Sequence, residues 1–253
     1  MNNIEPEDMM KLQTENYNVF GEMATPLFIK FMNDAALDET EKKYFDILRS
    51  WNHRNDVDEK GATIFFASWN SFANEVWHDD LARTKLPMMR PVASALLEAV
   101  IKDTSFKFLD DITTTQKETL RDDITNSFKK AVLELKTAES EGRLAWGKYK
   151  DTKVQHLAKL APFSRLHLPI GGGTHCINAA TGDHGPSWRM IVSLTDSTQA
   201  YGVYPGGQNG NPGSPYYDTF IDKWANGEYY PLWVMKKDEA SDKRVKYRVE
   251  FGK

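Results

Sequence analysis

The hydrophobic period of this chain changes near residue 160, and that change limits the fold to one in which helices and strands are segregated. Before it, apolar residues recur every three or four positions; after it, short β-branched or aromatic runs are bounded by Gly, Pro, Asp and Ser. The first period lays side chains along one stripe of a helix, the second along one face of a strand. The expected fold class is α+β, with a mostly helical region over 1–160 and a strand-rich region over 161–253.

Pro6, flanked by Glu5, Glu7 and Asp8, suits a helix start, because proline fits the first turn and acids face the positive end of the dipole. Met9, Leu12, Phe20, Ala24, Leu27 and Phe31 then form one apolar stripe interrupted by Asn16. Pro26, inside it, is expected to kink or break the helix near Thr25. Further helical patterns run over Glu41–Trp51, Ala62–Leu81, Arg90–Lys102 and Thr115–Glu139. In the second of these, Phe65, Phe66, Trp69, Phe72 and Trp77 read as core packing. SWRMIVSL, QAYGVYP and RVKYRVEF read as strands, the last half-buried with one wet face. DTFIDKWANGEY reads as a short helix, with Asp218 as its cap and Gly227 as its stop.

Composition excludes several function classes. No apolar run reaches the length of about 20 residues that a membrane-spanning helix needs. Lys/Arg (32) and Asp/Glu (36) are scattered, without a basic stripe interleaved with aromatics, so neither membrane nor nucleic acid is an expected partner. Cys176 stands alone, which excludes an internal disulfide. MNNIEPEDMMKLQTENYN carries neither a basic start nor an apolar segment, so no export signal is read on this chain.

The candidate chemistry is thin. Asp56, Asp58 and Gly61 open like a calcium loop, yet Ala67 stands where an EF-hand requires Glu, so a loop-and-cap role is expected. His175 and Cys176 are adjacent and, on a strand, would point to opposite faces; Cys176 then reads as a small buried hydrophobe. Gly171–Gly173 could cradle a phosphate, but the residues after them read as a strand rather than a helix N-terminus. His184 precedes a Gly-Pro turn, and His53 and His78 lie in polar segments with no paired acid. No G-x-S-x-G, H-E-x-x-H or kinase set occurs.

Pro205 to Pro212 read PGGQNGNP and lead into SPYYDTF; before them stands GGGTHCINAATGDHGPSWRMIVSLTD, and upstream EPEDMMKLQTENYN and LRSWNHRNDVDEKGATIF. Taken in order, these segments resemble the C-terminal part of the β-chain in the penicillin acylase (penicillin amidase) family of N-terminal-nucleophile hydrolases. That family carries a P-G-G-Q-S-G-N-P loop followed by S-P-H-Y, and a G-G-D-G-N-T-V-N segment followed by a G-P-S-[FW]-R-M strand. The resemblance implies part of an αββα sandwich and the hydrolysis of a linear acyl-amide C–N bond. In that reaction a Ser freed as a new N-terminus attacks the acyl carbon, its own α-amino group is the base, and backbone and Asn donors hold the oxyanion.

The family's nucleophilic Ser, oxyanion Asn, following Arg and calcium ligands all lie upstream of the matched portion. On this chain the implied catalytic, cofactor-binding and metal-binding residues are therefore none. The implied partners are the α-chain and the N-terminal part of the β-chain, with a small acyl-amide substrate only in the complete enzyme; the isolated chain is predicted to be inactive. Family members are commonly exported to the periplasm. Gly173 stands where the family often has Asp, His175 where it often has Asn, and Tyr216 where S-P-H-Y has His. A partial sandwich would leave apolar faces bare, so self-association is expected as well.

A rival reading is a stand-alone binding or assembly protein of the same architecture without catalysis, with Tyr216, Tyr217, Tyr229 and Tyr230 lining a ligand surface beside the glycine-rich loop. On the first reading the loop is a strand-to-helix connector packed closely on a neighbouring segment, with Gln208 and Asn211 satisfying buried backbone groups.

Overall fold

The computed structural model describes residues 3–82, 84 and 88–252; Met1 and Asn2 of the N-terminal segment lie outside the described residues. In chain order the helices and strands are α1 Pro6–Gln13, α2 Val19–Phe31, α3 Glu39–Arg49, α4 Lys60–Ala82, α5 Ala93–Lys102, α6 Leu120–Ser140, α7 Trp146–Lys150, β1 Thr152–Val154, β2 Arg165–Leu168, β3 Arg189–Ser193, β4 Gln199–Val203, α8 Ile221–Ala225 and β5 Tyr230–Leu232. They form two compact units, Thr14–Gly185 and Met1–Gln13 with Pro186–Lys253. The fold class is α+β.

In the larger unit α4 packs along α6. Ile64, Phe72, Leu120, Ile124, Phe128 and Leu135 are buried along this seam, which is what an i, i+3, i+4 apolar pattern on each helix requires. Capping boxes start two of the helices: Asp38 and Glu41 on α3, Thr119 and Asp122 on α6. β1 and β2 pair antiparallel, with Thr152 opposite Leu168.

The smaller unit is an antiparallel sheet in the order β3-β4-β5, with Ile191 opposite Tyr201 and Ala200 opposite Leu232. On β3, Arg189 and Ile191 are buried and Met190 and Val192 exposed, the two-residue alternation of a strand with one covered face. α1 lies beside β3, where Gln13 Nε2 donates to the Met190 carbonyl at 3.2 Å and Gln13 Oε1 accepts from the Tyr229 hydroxyl at 2.6 Å.

Several expectations are corrected. The stripe from Met9 to Phe31 is two helices, and the break falls at Thr14–Asn18 rather than at Pro26. Asn18 sets it: its backbone is extended and its side chain accepts from the Gly21 N–H at 2.8 Å, which caps α2. Pro26 stays inside α2 because it and Glu22, whose carbonyl it leaves without a helical donor, are both on the exposed face, open to solvent. α8 is not capped by Asp218: its N-cap position is Phe220, which makes no side-chain cap bond. Gly227, at φ 73°, does follow its C-terminus. RVKYRVEF forms no strand: residues 244–251 have no regular structure, and Tyr247, Val249 and Phe251 are exposed. An alternating pattern holds a strand only where a ladder partner and a core are present, and no described strand pairs with it.

Candidate functional site

Within the larger unit, four stretches that are distant in sequence meet on a polar floor: Thr14–Asn18, His53–Asp56, Trp146–Lys150 and Gly171–Ala180. Asn16 Nδ2 donates to Asp56 Oδ1 at 2.8 Å, Asn178 Nδ2 to Asn16 Oδ1 at 2.9 Å, and Arg54 pairs with Glu15 and Asp56, each at 2.8 Å. The glycine run crosses this floor in contact with backbone. At Gly172, φ 78°, a Cβ would lie 2.0 Å from the Asn178 carbonyl oxygen; at Gly171 it would lie 2.4 Å from Asn16 Nδ2. Only glycine fits both demands at Gly172.

The N–H groups of Gly172 and Gly173 are used up by the Asn55 and Asn178 carbonyls at 2.8 and 3.0 Å. What the run presents is acceptors. Trp146 Nε1 donates to the Gly172 carbonyl at 2.7 Å, and the Lys150 ammonium donates to Gly171 O at 2.7 Å, Ala180 O at 2.8 Å and, at 3.4 Å, Gly172 O. The segment is thus a cation cage around Lys150 and not an anion cradle. Burial pushes this ammonium down to about 7, since the charged form loses solvation.

Above the floor opens a cleft of about 490 Å³, inside the range of small-molecule sites. Phe20, Phe65, Phe66, Trp69, Trp146 and Tyr149 wall it, with Asn18, Asn55, Thr174 and His175 among its polar groups. His175 stacks on Phe20, ring centroids 4.5 Å apart, and burial lowers its pKa, which favours the neutral ring.

The residues singled out in the sequence fall as follows. His175 and Cys176 lie in a turn, not on a strand; His175 enters the cleft while the buried Cys176 Sγ donates to the Asn16 carbonyl at 3.3 Å. Burial pushes the Cys176 thiol up to about 12, so no thiolate forms at neutral pH. Asp56 is occupied by Asn16 and Arg54, and Gly61 packs on Trp51. His78 is on α4 and does have an acid beside it, Asp111 at 3.4 Å, because the loop after α5 returns to that helix. The backbone of His184 closes a turn on Thr181. His53, at φ 59°, offers its carbonyl to the Asn18 N–H. Among the described residues no group of three or more His, Cys, Asp or Glu could hold a metal ion.

In the smaller unit the four tyrosines differ in environment. Tyr229 is buried on Gln13, Tyr216 is exposed, and the Tyr230 hydroxyl donates to the Thr219 carbonyl at 3.2 Å. Gln208 and Asn211 are exposed, so they satisfy no buried backbone; Asn211 Oδ1 accepts from Gly213 N–H at 2.9 Å in a local turn. The close packing of the connector rests on Gly207, where a Cβ would lie 2.1 Å from the Tyr216 carbonyl oxygen.

Two charged residues escaped the sequence reading. Lys150 follows Trp146 by one helical turn, and that i, i+4 spacing was the available signal for a shared face. Asp123 falls on the buried stripe of Leu120, Ile124, Ser127 and Phe128. It is 3% exposed with Oδ2 unbonded, and desolvation, then Glu75 and Glu118, push its carboxyl up to about 8.

Comparison with known proteins identifies the family. The penicillin amidase family model matches residues 1–241. An acyl-homoserine lactone acylase, QuiP, of Pseudomonas aeruginosa is 24% identical over 256 residues, covering 86% of this chain and 30% of the relative. QuiP of Pseudomonas syringae pv. tomato is 31% identical over 147 residues, covering 52% of this chain and 18% of the relative. Among solved structures, the thermostable penicillin G acylase from Alcaligenes faecalis superposes with a TM-score of 0.50 at 11% identity, over 94% of this chain and 47% of that one, which shows a shared fold. The chain thus spans less than half the length of each of these proteins. It belongs to the penicillin amidase family.

Proposed function

We propose that this chain is the C-terminal part of the β-chain of an amidohydrolase that cleaves linear acyl-amide C–N bonds, and that the nucleophile, the oxyanion Asn and any calcium ligands belong to the remainder of that enzyme. The observation that carries this reading is the combination of a family match over residues 1–241 with coverage of only 30% of a related acylase. The chemistry of the described residues supports it. Cys176 is held as a thiol, Lys150 is bonded to three carbonyls, and His175 is stacked on Phe20 instead of being paired with a hydroxyl. The chain then supplies helical cover and sheet, and its partners are the α-chain and the N-terminal part of the β-chain. Purified alone and given a chromogenic acyl anilide, it should release no arylamine above the buffer rate. Turnover that co-purifies with the chain and scales with its concentration overturns the reading.

The cleft favours a second reading, a stand-alone binding protein of the same architecture. Reading the coding DNA upstream of Met1 separates the two. An open frame running into a Ser-led acylase segment supports the first; a stop codon and ribosome site support the second.

A further inference from the structure

We propose that residues 103–119, which join α5 to α6, are a strap that rising pH releases from α4, and that the buried Asp123 carboxyl is the trigger. The inference concerns this chain alone and does not depend on the amidohydrolase reading, so the two fail separately.

The first support is how the strap is held. Its one 3-10 turn, Lys107–Leu109, packs on α4, where Leu109 is buried and the Phe106 and Phe108 ring centroids stand 5.9 and 5.0 Å from that of Trp77. Asp79 Oδ2 accepts the Ile112 N–H at 3.0 Å, and Asp111 pairs with His78 at 3.4 Å. Glu118 Oε2 accepts the Asp111 N–H at 3.0 Å. Each of these polar ties thus ends on an acid.

The second support is the carboxyl at the end of the strap. Thr119 and Asp122 cap α6, so Asp123 has no part in the cap. Its side chain is buried, and Oδ2 has no hydrogen-bond partner among the described residues. The charged groups acting on it are Glu75 from α4, Glu118 and Asp111 from the strap, and Asp122 beside it. Lys130 of α6 is bonded to both Glu75 oxygens. α3 meets α6 further along, where Glu41 pairs with Lys129 and Lys43 with Glu139, and the charged residues of α2, Glu22 and Lys30, are exposed. The α6 dipole favours an anion in its first turn, but lost solvation and four acids outweigh it. The closed chain therefore holds Asp123 as the neutral acid.

The direction of the switch follows. With the strap released, Asp123 meets water and titrates as an ordinary carboxyl, near 3.8, against about 8 in the closed form. Between these values the open form binds fewer protons, so opening gains about tenfold per pH unit and levels off above about 8. Release also parts Asp123 from Glu118 and Asp111. The His78–Asp111 pair is ionic only while the imidazole is protonated, so it weakens in the same direction.

The test is hydrogen exchange of the full chain at pH 5, 6.5 and 8, read as opening constants for the Leu109, Asp111 and Ile112 amides in wild type and in Asp123→Asn, which cannot ionise. The ratio of wild-type to variant opening should grow about tenfold per pH unit from pH 5 toward pH 8. Amides of Phe128 and Leu135, deeper in the α4–α6 seam, should stay at least about tenfold better protected, the mark of local release. If circular dichroism shows that the variant is unfolded, carbon NMR of the wild-type Asp123 carboxyl carries the test, with a midpoint above about 6.5 expected from its burial. A ratio that does not change with pH, strap and seam amides that open together, or an Asp123 midpoint near the ordinary carboxyl value overturns the proposal.

Discussion

The two glycine-rich stretches of this chain look alike in sequence and do opposite jobs. Gly171–Gly173 is buried, one residue is left-handed, its N–H groups are bonded to Asn55 and Asn178, and its carbonyls close on Lys150 and Trp146. The Tyr204–Phe220 connector carries its glycines mostly in the open. Nothing lies within 4 Å of a Cβ at Gly210, and Asn209 and Asn211 bond the backbone two residues on. Only Gly207 is wedged against backbone. Glycine count therefore reports freedom of the chain, and only the surrounding atoms show whether that freedom serves close packing or a turn.

Substitution breaks the comparison most sharply at Gly172. Gly172→Ala meets the Asn178 carbonyl and a positive φ, and should destabilise the fold by about 3 kcal/mol or more in urea titration. Gly210→Ala should stay within about 0.5 kcal/mol of wild type. Next in size, Lys150→Met leaves the Gly171 and Ala180 carbonyls without their donor, and a loss of about 2 kcal/mol is expected, read as a lower urea midpoint with an unchanged m-value.

The pH dependence of Lys150 sharpens the contrast further. Its folded pKa of about 7 lies below the ordinary 10.5, so between these values the unfolded chain binds more protons. Its contribution to stability is therefore complete above the unfolded value and is lost as pH falls through the folded one. The wild-type minus Lys150→Met difference in unfolding free energy should rise from pH 7 to pH 10 and be flat below pH 6; a falling difference contradicts the desolvated ammonium. The smallest effect belongs to the connector: Asn211→Ala removes one exposed turn bond and should cost about 0.5 kcal/mol or less in the same assay.

Much of the helical frame was legible because period and caps are local. The α4 and α6 stripes and the strands in SWRMIVSL and QAYGVYP stand where their patterns fall. Pro26 misled because the cost of an internal proline depends on whether the carbonyl it orphans faces solvent, which is a tertiary fact. RVKYRVEF misled because a strand pattern is an offer of pairing, not the pairing itself. The core reading of the α4 rings holds for Phe65, Trp69, Phe72 and Trp77, which are buried, and fails for Phe66, which is 43% exposed and opens onto the cleft that Phe65 and Trp69 also line. Lys150, Asn18 and Asn55 carry no local signal for the cleft, because each acquires its place there from partners 21 or more residues away in sequence.

The sequence by itself determined the α+β class, the helix starts at acidic and proline signals, and the resemblance to penicillin acylases, since all of these rest on short-range spacing. The tertiary structure alone decided that a glycine run faces a cation and that a thiol beside a histidine stays protonated. It also set Lys150, held by three backbone carbonyls, against one aromatic cleft. Charge solvation and close backbone contact are set by which distant segments meet, and spacing along the chain does not encode that directly.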